Sequence, residues 1–427
     1  PALRRLWTAL AAALAALLGV LVMMGPIATD MFLPVIPILS RELGASVGET
    51  EFAVTALFTG MAAGQLFYGP LSDRFGRKPI ILVTVLMFAA SAIGIALSAS
   101  MTPILIWRFV QGIAASSGRI VANAAARDIF VRERLGRLMS FIMVVGATVS
   151  LLTGPAAGII ADNFPWQILF LIMAAYGVLL FILFLFFFRE TQVRKNFHAI
   201  RPVNLIHNYT MVARNRVFWA YALAGTFIIS GLAAYLNSSS GVLIGAYGLS
   251  PTVYGFLFSA LPLGYMSGSF VAGRFVERTG MDRMISVGAA FALAGALVMF
   301  ALAIAGASHW AAVIAPMMVY MFGFAMILPQ ISAGALTPFT HIAGTASSLQ
   351  GFILSATAAG ISALLALFAD GTAMPMATAI ALSAVAVMLT YIFAIRPLEQ
   401  TPLLGSDQQV QHVSGDEQSE DGGKIGP

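Results

Sequence analysis

Long apolar stretches, separated by short breaks of charge, glycine and proline, run almost the whole length of this chain. About twenty consecutive apolar residues suffice to cross a bilayer as a helix, and a helix satisfies its own backbone polar groups in lipid. The pattern predicts an all-α membrane protein with twelve spans, at about 9–38, 51–71, 79–98, 102–125, 138–161, 165–188, 217–243, 253–275, 283–306, 310–335, 342–368 and 374–395. One of the breaks occurs twice. Gly69-Pro-Leu-Ser-Asp73-Arg74-Phe-Gly76-Arg77-Lys78 is echoed 204 residues later by Gly273-Arg-Phe-Val-Glu277-Arg278-Thr-Gly280, and each copy joins two apolar runs. A duplication near half the chain length predicts two pseudo-symmetric six-helix halves, 1–188 and 217–398, joined by a basic loop, 189–216. A ligand path in such a protein lies between the halves, near the membrane midplane.

Composition supports this. Hydrophobic residues make up 59% of the chain and charged residues 10%, where a soluble protein carries roughly a quarter charged. The chain has no cysteine, which removes disulfides, thiolate metal sites and thiol chemistry. The first apolar run starts just after Arg4 and Arg5 without a small-residue cleavage site, and reads as the first span rather than a signal peptide. From Glu399 onward the chain holds six acids and one base, Lys424, in a Gly/Ser/Gln-rich segment. Such a composition buries too little apolar area to fold, so 399–427 is expected to be a disordered acidic tail.

The bases sort by side. Arg4/Arg5, Arg74–Lys78, Arg127–Arg137, Arg189–Arg216, Arg274–Arg283 and Arg396 fall on one face of the predicted bundle, while Arg41 is the only base on the other. The positive-inside rule makes the first face cytoplasmic, with both termini on it. This placement explains the net charge of +5 without nucleic acid.

Three ionisable residues stand well inside apolar spans: Asp30, Arg108 and Arg119. Such groups are costly at membrane depth and generally face a water-filled cavity or a partner. Asp30 in span 1 and Arg108 in span 4 fall within about one helical turn of each other in depth. Arg119 is eleven residues beyond Arg108, roughly three turns, so both arginines share a face. Two readings fit Asp30. It takes up and releases a proton as the cavity opens to alternate sides, since burial favours the neutral acid and a nearby guanidinium the carboxylate. Otherwise it forms a structural ion pair with Arg108. The repeat offset places Ala234 and Ala312 opposite these two residues, so the second half lacks both charges. It offers the neutral polar residues Tyr235, Asn237, Gln330 and Gln350, suited to hydrogen-bonding a ligand or a neighbouring helix.

These residues carry a resemblance. Gly69 to Lys78 resembles the signature loop between helices 2 and 3 of the major facilitator superfamily. Arg108-Phe-Val-Gln111-Gly112 resembles the helix-4 motif of its proton-driven members, and Gly146…Gly154-Pro155-Ala-Ala-Gly158 the helix-5 motif of its drug:proton antiporters. Thr29-Asp30-Met31-Phe-Leu-Pro34, Ala126-Arg127-Asp128-Ile-Phe and His341-Ile-Ala-Gly344-Thr-Ala-Ser347-Ser348-Leu are similar to the bicyclomycin/chloramphenicol-resistance subfamily. The resemblance implies the major facilitator fold in a bacterial inner membrane. It implies proton-coupled export of small lipophilic compounds, including antibiotics, by a monomer that works by alternating access. Asp30 and Arg108 would serve proton coupling. The substrate cavity would take Asp30, Arg108, Gln111, Arg119, Tyr235, Asn237, Gln330 and Gln350. In the loop, Gly69, Asp73, Arg74, Gly76 and Arg77 would form a latch, with Asp73 capping the start of span 11 and pairing with Arg127. Gly154, Pro155 and Gly158 would form a kinked helix at the interface between halves.

A proton-coupled carrier of one metabolite or siderophore is the competing expectation. Membrane enzymes are disfavoured. No Gly-rich phosphate loop or His-Glu-x-x-His cluster occurs, and the five histidines (His198, His207, His309, His341, His412) fall in or beside predicted loops or the tail. No metal and no cofactor beyond the coupling proton is expected.

Overall fold

Pro34 breaks the first helix beside Asp30. Its ring clashes with the carbonyl four residues earlier, which is that of Asp30, and the chain turns through a short 3₁₀ segment, Leu33–Val35. In the computed structural model, which describes residues 13–129, 132–192, 202–339 and 342–400, the first span is a pair of helices. These are α1 (Ala13–Val22) and α2 (Met24–Leu43), bent by 41° at Met23, while the Pro34 turn interrupts α2 itself. Arg4, Arg5, His198, His341, His412 and the tail beyond Gln400 lie outside the described residues.

Every other described element is helical: α3 (Val47–Phe75), α4 (Arg77–Ala96), α5 (Met101–Ile129), α6 (Arg132–Asn163) and α7 (Gln167–Phe187), then a short α8 (Pro202–Ala213). They continue as α9 (Arg216–Ala246), α10 (Pro251–Ile304), α11 (Ala311–Phe339), α12 (Ala343–Leu367) and α13 (Met374–Leu398). Among the described residues, eight helices are long and apolar enough to cross a membrane, or nine if the bent pair α1–α2 is one span. The surface is apolar as well: Phe186, Phe270 and Phe393 are each about three-quarters exposed, as lipid-facing side chains are.

Glycines set the packing. Gly60 and Gly112 let α3 and α5 touch backbone to backbone, since a Cβ on Gly60 would collide with the Phe109 carbonyl and one on Gly112 with the Leu57 carbonyl. Gly264 and Gly268 stand 204 residues after Gly60 and Gly64, and seat α10 against the carbonyls of Met318 and Phe322 on α11. The repeated loop has a matching backbone. Gly76 has φ +106° and Gly280 φ +81°, a region that glycine alone enters freely, so Gly280 divides the long α10 as Gly76 separates α3 from α4.

Helix α3 starts four residues before the predicted position 51 because of a capping box. The Ser46 hydroxyl accepts from the Glu49 amide (3.2 Å) while the Glu49 carboxylate accepts from the Ser46 amide (2.7 Å). Glu51, read as the edge of a span, therefore lies inside the first turns of a helix and is buried.

Candidate functional site

Arg108 is fully buried. Its Nη1 donates to the Ala28 carbonyl and to Gln111 Oε1, both at 2.8 Å, and Nε reaches the Ala53 carbonyl at 3.4 Å. The guanidinium lies 4.0 Å from the centre of the Phe32 ring. A buried cation costs least when donors and a π-face replace water, and here α2, α3 and α5 jointly supply them, leaving Nη2 without a partner. One turn on, Gln111 Nε2 reaches the Met173 sulfur on α7 at 3.7 Å.

Asp30 is also buried, and its carboxyl faces the hydroxyls of Ser150 and Thr153 on α6. It shares a layer with Arg108, which binds the carbonyl two residues before it, but the two do not form an ion pair. The alternative reading of a structural ion pair is not met: the carboxyl turns toward α6 and the guanidinium inward toward α3. Among the described residues, both ion pairs belong to Arg77.

Across from Asp30, the C-terminal part of the chain supplies phenols. Tyr254 on α10 is within electrostatic reach of Asp30 and shares a 2.9 Å hydrogen bond with Ser239. The Tyr235 ring stacks on Phe258 at 6.4 Å, and its buried hydroxyl lies beside the Ser239 hydroxyl. Gln350 is buried with its Nε2 unpartnered, and Gln330 is half-buried on α11. Ser150, Thr153, Ser239 and Tyr254 were not singled out in the sequence, since hydroxyls are ordinary in membrane helices and nothing local marks these.

A cavity of about 660 Å³ opens at the base-rich end between the N- and C-terminal parts of the chain. Its wall includes Gln65, Arg119, Asn123, Tyr209 and Ser348. Of the predicted cavity residues only Arg119 lines it; Asp30, Arg108, Gln111, Tyr235, Asn237, Gln330 and Gln350 lie outside that wall. At its edge Gln65 Nε2 donates to Ser355 on α12 (2.7 Å).

The loop expected to act as a latch has different partners. Asp73 pairs with Arg77 (2.6 Å), and Arg77 Nε also reaches Asp128 (3.0 Å). Arg127 instead donates to the Asn123 carbonyl on its own helix, and Arg74 lies over the Phe75 ring. Among the described residues, no side-chain cap is formed at the start of α12. The predicted Asp73–Arg127 pair and helix cap are thus absent from this arrangement, in which Asp73 and Arg127 both stand on the wall of the open cavity. Glu190, unremarked in the sequence, accepts from the Arg77 and Lys78 amides (2.9 and 3.2 Å), placing an anion at the positive end of α4. Gly69 faces the Ser348 hydroxyl.

Opposite this cavity the two parts meet closely. A Cβ on Gly154 would come 2.7 Å from the Gly255 carbonyl, and one on Gly158 would strike the Pro251 carbonyl, so α6, with Pro155 inside it, lies directly on α10. At the base-poor end, Thr252 donates to Asp162 (2.7 Å) and Asn237 to Glu51 (2.8 Å).

Residues 16–363 match the model of the Major Facilitator Superfamily. The chain is 30% identical to a bicyclomycin resistance protein homolog of Haemophilus influenzae, over 88% of this chain and 94% of that one. It is 31% identical to the multidrug resistance protein MdtL of Shewanella oneidensis (79% and 85%) and 29% identical to multidrug resistance protein D of Escherichia coli (82% and 88%). Among solved structures, a D-xylose-proton symporter superposes with a TM-score of 0.69 at 16% identity, covering 90% of this chain and 96% of that one. A bacterial homolog of the human lysosomal transporter Spinster gives 0.64 at 14% identity, covering 90% and 95%. At these identities the structures speak for the fold alone.

Proposed function

Because the chain belongs to the Major Facilitator Superfamily, we propose that it is a proton-driven exporter of small lipophilic compounds working by alternating access in a bacterial inner membrane. The bent pair α1–α2, the helices α3 to α7 and α9, the two segments of α10 and the helices α11 to α13 make twelve spans in two six-helix halves. The base-rich end faces the cytoplasm with both termini, so the 660 Å³ cavity is an inward opening. The protein acts as a monomer and a transporter, not an enzyme, and the proton is its only coupling partner. Relatives named for bicyclomycin and multidrug resistance support the substrate class.

The observation that carries the coupling is Asp30, a buried carboxyl between halves whose neighbours are the Ser150 and Thr153 hydroxyls rather than a base. Hydrogen bonds from hydroxyls favour the carboxylate, while apolar surroundings favour the acid. Movement of α6 and α10 against α2 changes both, so proton occupancy and conformation are linked. Arg108 acts as a positioning residue by holding the Ala28 carbonyl and hence the Asp30 turn.

The test is drug-driven proton movement in proteoliposomes under an imposed pH gradient, with chloramphenicol-like, bicyclic and cationic lipophilic compounds. Asp30→Asn is expected to abolish the proton movement that these compounds drive in the intact protein. Coupling that survives in the variant would remove Asp30 from the role. If no compound moves protons with the intact protein, the carrier of one metabolite or siderophore becomes the better reading, favoured by Arg119 in the cavity wall.

A further inference from the structure

Glu51 is a buried carboxyl that this mechanism does not use. It is 2% exposed and lies at the opposite end of the bundle from the cavity, one turn beyond the Ser46 cap. Its Oε2 accepts from Asn237 Nδ2 at 2.8 Å, and the Ser238 hydroxyl also reaches it. Glu51 is on α3 and Asn237 on α9, so this contact joins the two halves.

The surroundings are acidic. Glu49, on the same turn, is occupied by the helix cap. Asp370, in the loop after α12, lines the same small pocket and accepts from the Thr372 amide and hydroxyl, both at 2.8 Å. On α2, Glu42 is held by the Trp166 indole and Arg41 is exposed. Among the described residues no base forms an ion pair with Glu51. Beside it, Asn237 Oδ1 is buried without a partner. An ionised Glu51 can only accept, so it leaves that oxygen unpaired. A neutral Glu51 donates its O–H to Asn237 Oδ1 while its other oxygen takes the Nδ2–H, and both groups are satisfied.

We propose that Glu51 and Asn237 form a proton-operated latch that closes the outer end of the transporter. As the halves close on the outside, the Glu51 carboxylate takes one proton from the outer solution. On opening it is hydrated and returns that proton to the same side. The latch therefore gates without carrying protons across the membrane, unlike Asp30, and lower outer pH favours the outer-closed state by up to about tenfold per pH unit. This inference rests on the alternating-access reading and on the base-rich end being cytoplasmic.

The absence of cysteine allows paired spin labels to be introduced directly at Ser100 and Ser308, exposed residues on outer loops of the two halves. Their separation is measured by double electron–electron resonance in lipid nanodiscs between pH 5 and pH 8. In the otherwise intact protein the outer-open fraction is expected to grow as pH rises. Glu51→Gln, which cannot ionise, is expected to remain closed throughout. Asn237→Ala is expected to raise the open fraction and flatten the pH response. An undiminished pH response in Glu51→Gln, or a distance in the intact protein that ignores pH, overturns the latch. The titration is repeated with Asp30→Asn, where the Glu51 response is expected to persist; if it vanishes with Asp30 instead, the latch is likewise overturned. The proteoliposome assay decides Asp30 coupling separately, so either idea can fail without the other.

Discussion

Arg108 holds three helices through one guanidinium, and its geometry sets a demand that charge alone does not meet. A lysine keeps the charge but lacks the planar fork whose Nη1 and Nε reach the Ala28 and Ala53 carbonyls together. Arg108→Lys is expected to reduce transport at least tenfold while the purified protein stays folded, as checked by vesicle transport beside a thermal melt. Arg108→Ala is expected to fail in both, since it strands buried acceptors. That Asp30 and Arg108 mattered was legible in the sequence, because charge inside an apolar run is costly wherever the chain folds. That they would take separate partners was not. The choice depends on where Ser150 and Thr153 stand on α6, more than a hundred residues away, and on the Phe32 ring beneath the guanidinium.

Among the elements, α3 and α5 approach to backbone contact through Gly60 and Gly112. Gly60→Val or Gly112→Val would drive a branched side chain into a facing carbonyl, and each is expected to cost roughly 1–3 kcal/mol, read as a lower melting temperature in detergent. Gly273→Val, at a glycine with open space around it, is expected to change the melt little. The all-helical character of the apolar runs was legible from hydropathy, with eight or nine of the helices among the described residues long and apolar enough to cross a membrane, and the charged loop from its repetition. The start of α3 was not: hydropathy marks where apolar residues begin, whereas the Ser46–Glu49 box winds the chain earlier and carries Glu51 into the interior. Hydropathy also missed how Pro34 divides the first span beside Asp30.

For the whole molecule, the arrangement is asymmetric: joined at the base-poor end by Glu51–Asn237 and Asp162–Thr252, open at the base-rich end. A cysteine at Asn123, on the cavity wall, is expected to react with a membrane-impermeant maleimide in inside-out vesicles and not in right-side-out ones. The reverse pattern would invert the proposed orientation.

Hydropathy, the repeated loop and the distribution of arginines were enough, read along the chain, to indicate an all-helical membrane protein with a duplicated plan, because burial in lipid imposes its cost residue by residue. The superfamily came from the resemblance of the loop, helix-4 and helix-5 motifs. The partners were decided only by tertiary structure. Asp73 meets Arg77 and not Arg127, Asp30 meets hydroxyls and not Arg108, and Glu51 meets Asn237 between the N- and C-terminal parts of the chain. The Asp73–Arg77 pair is local, and only its preference over Arg127 depends on how the helices sit. The Asp30 and Glu51 contacts depend on the relative position of segments far apart in sequence, and in the proposed alternating-access cycle that position changes with state, so no local pattern specifies them.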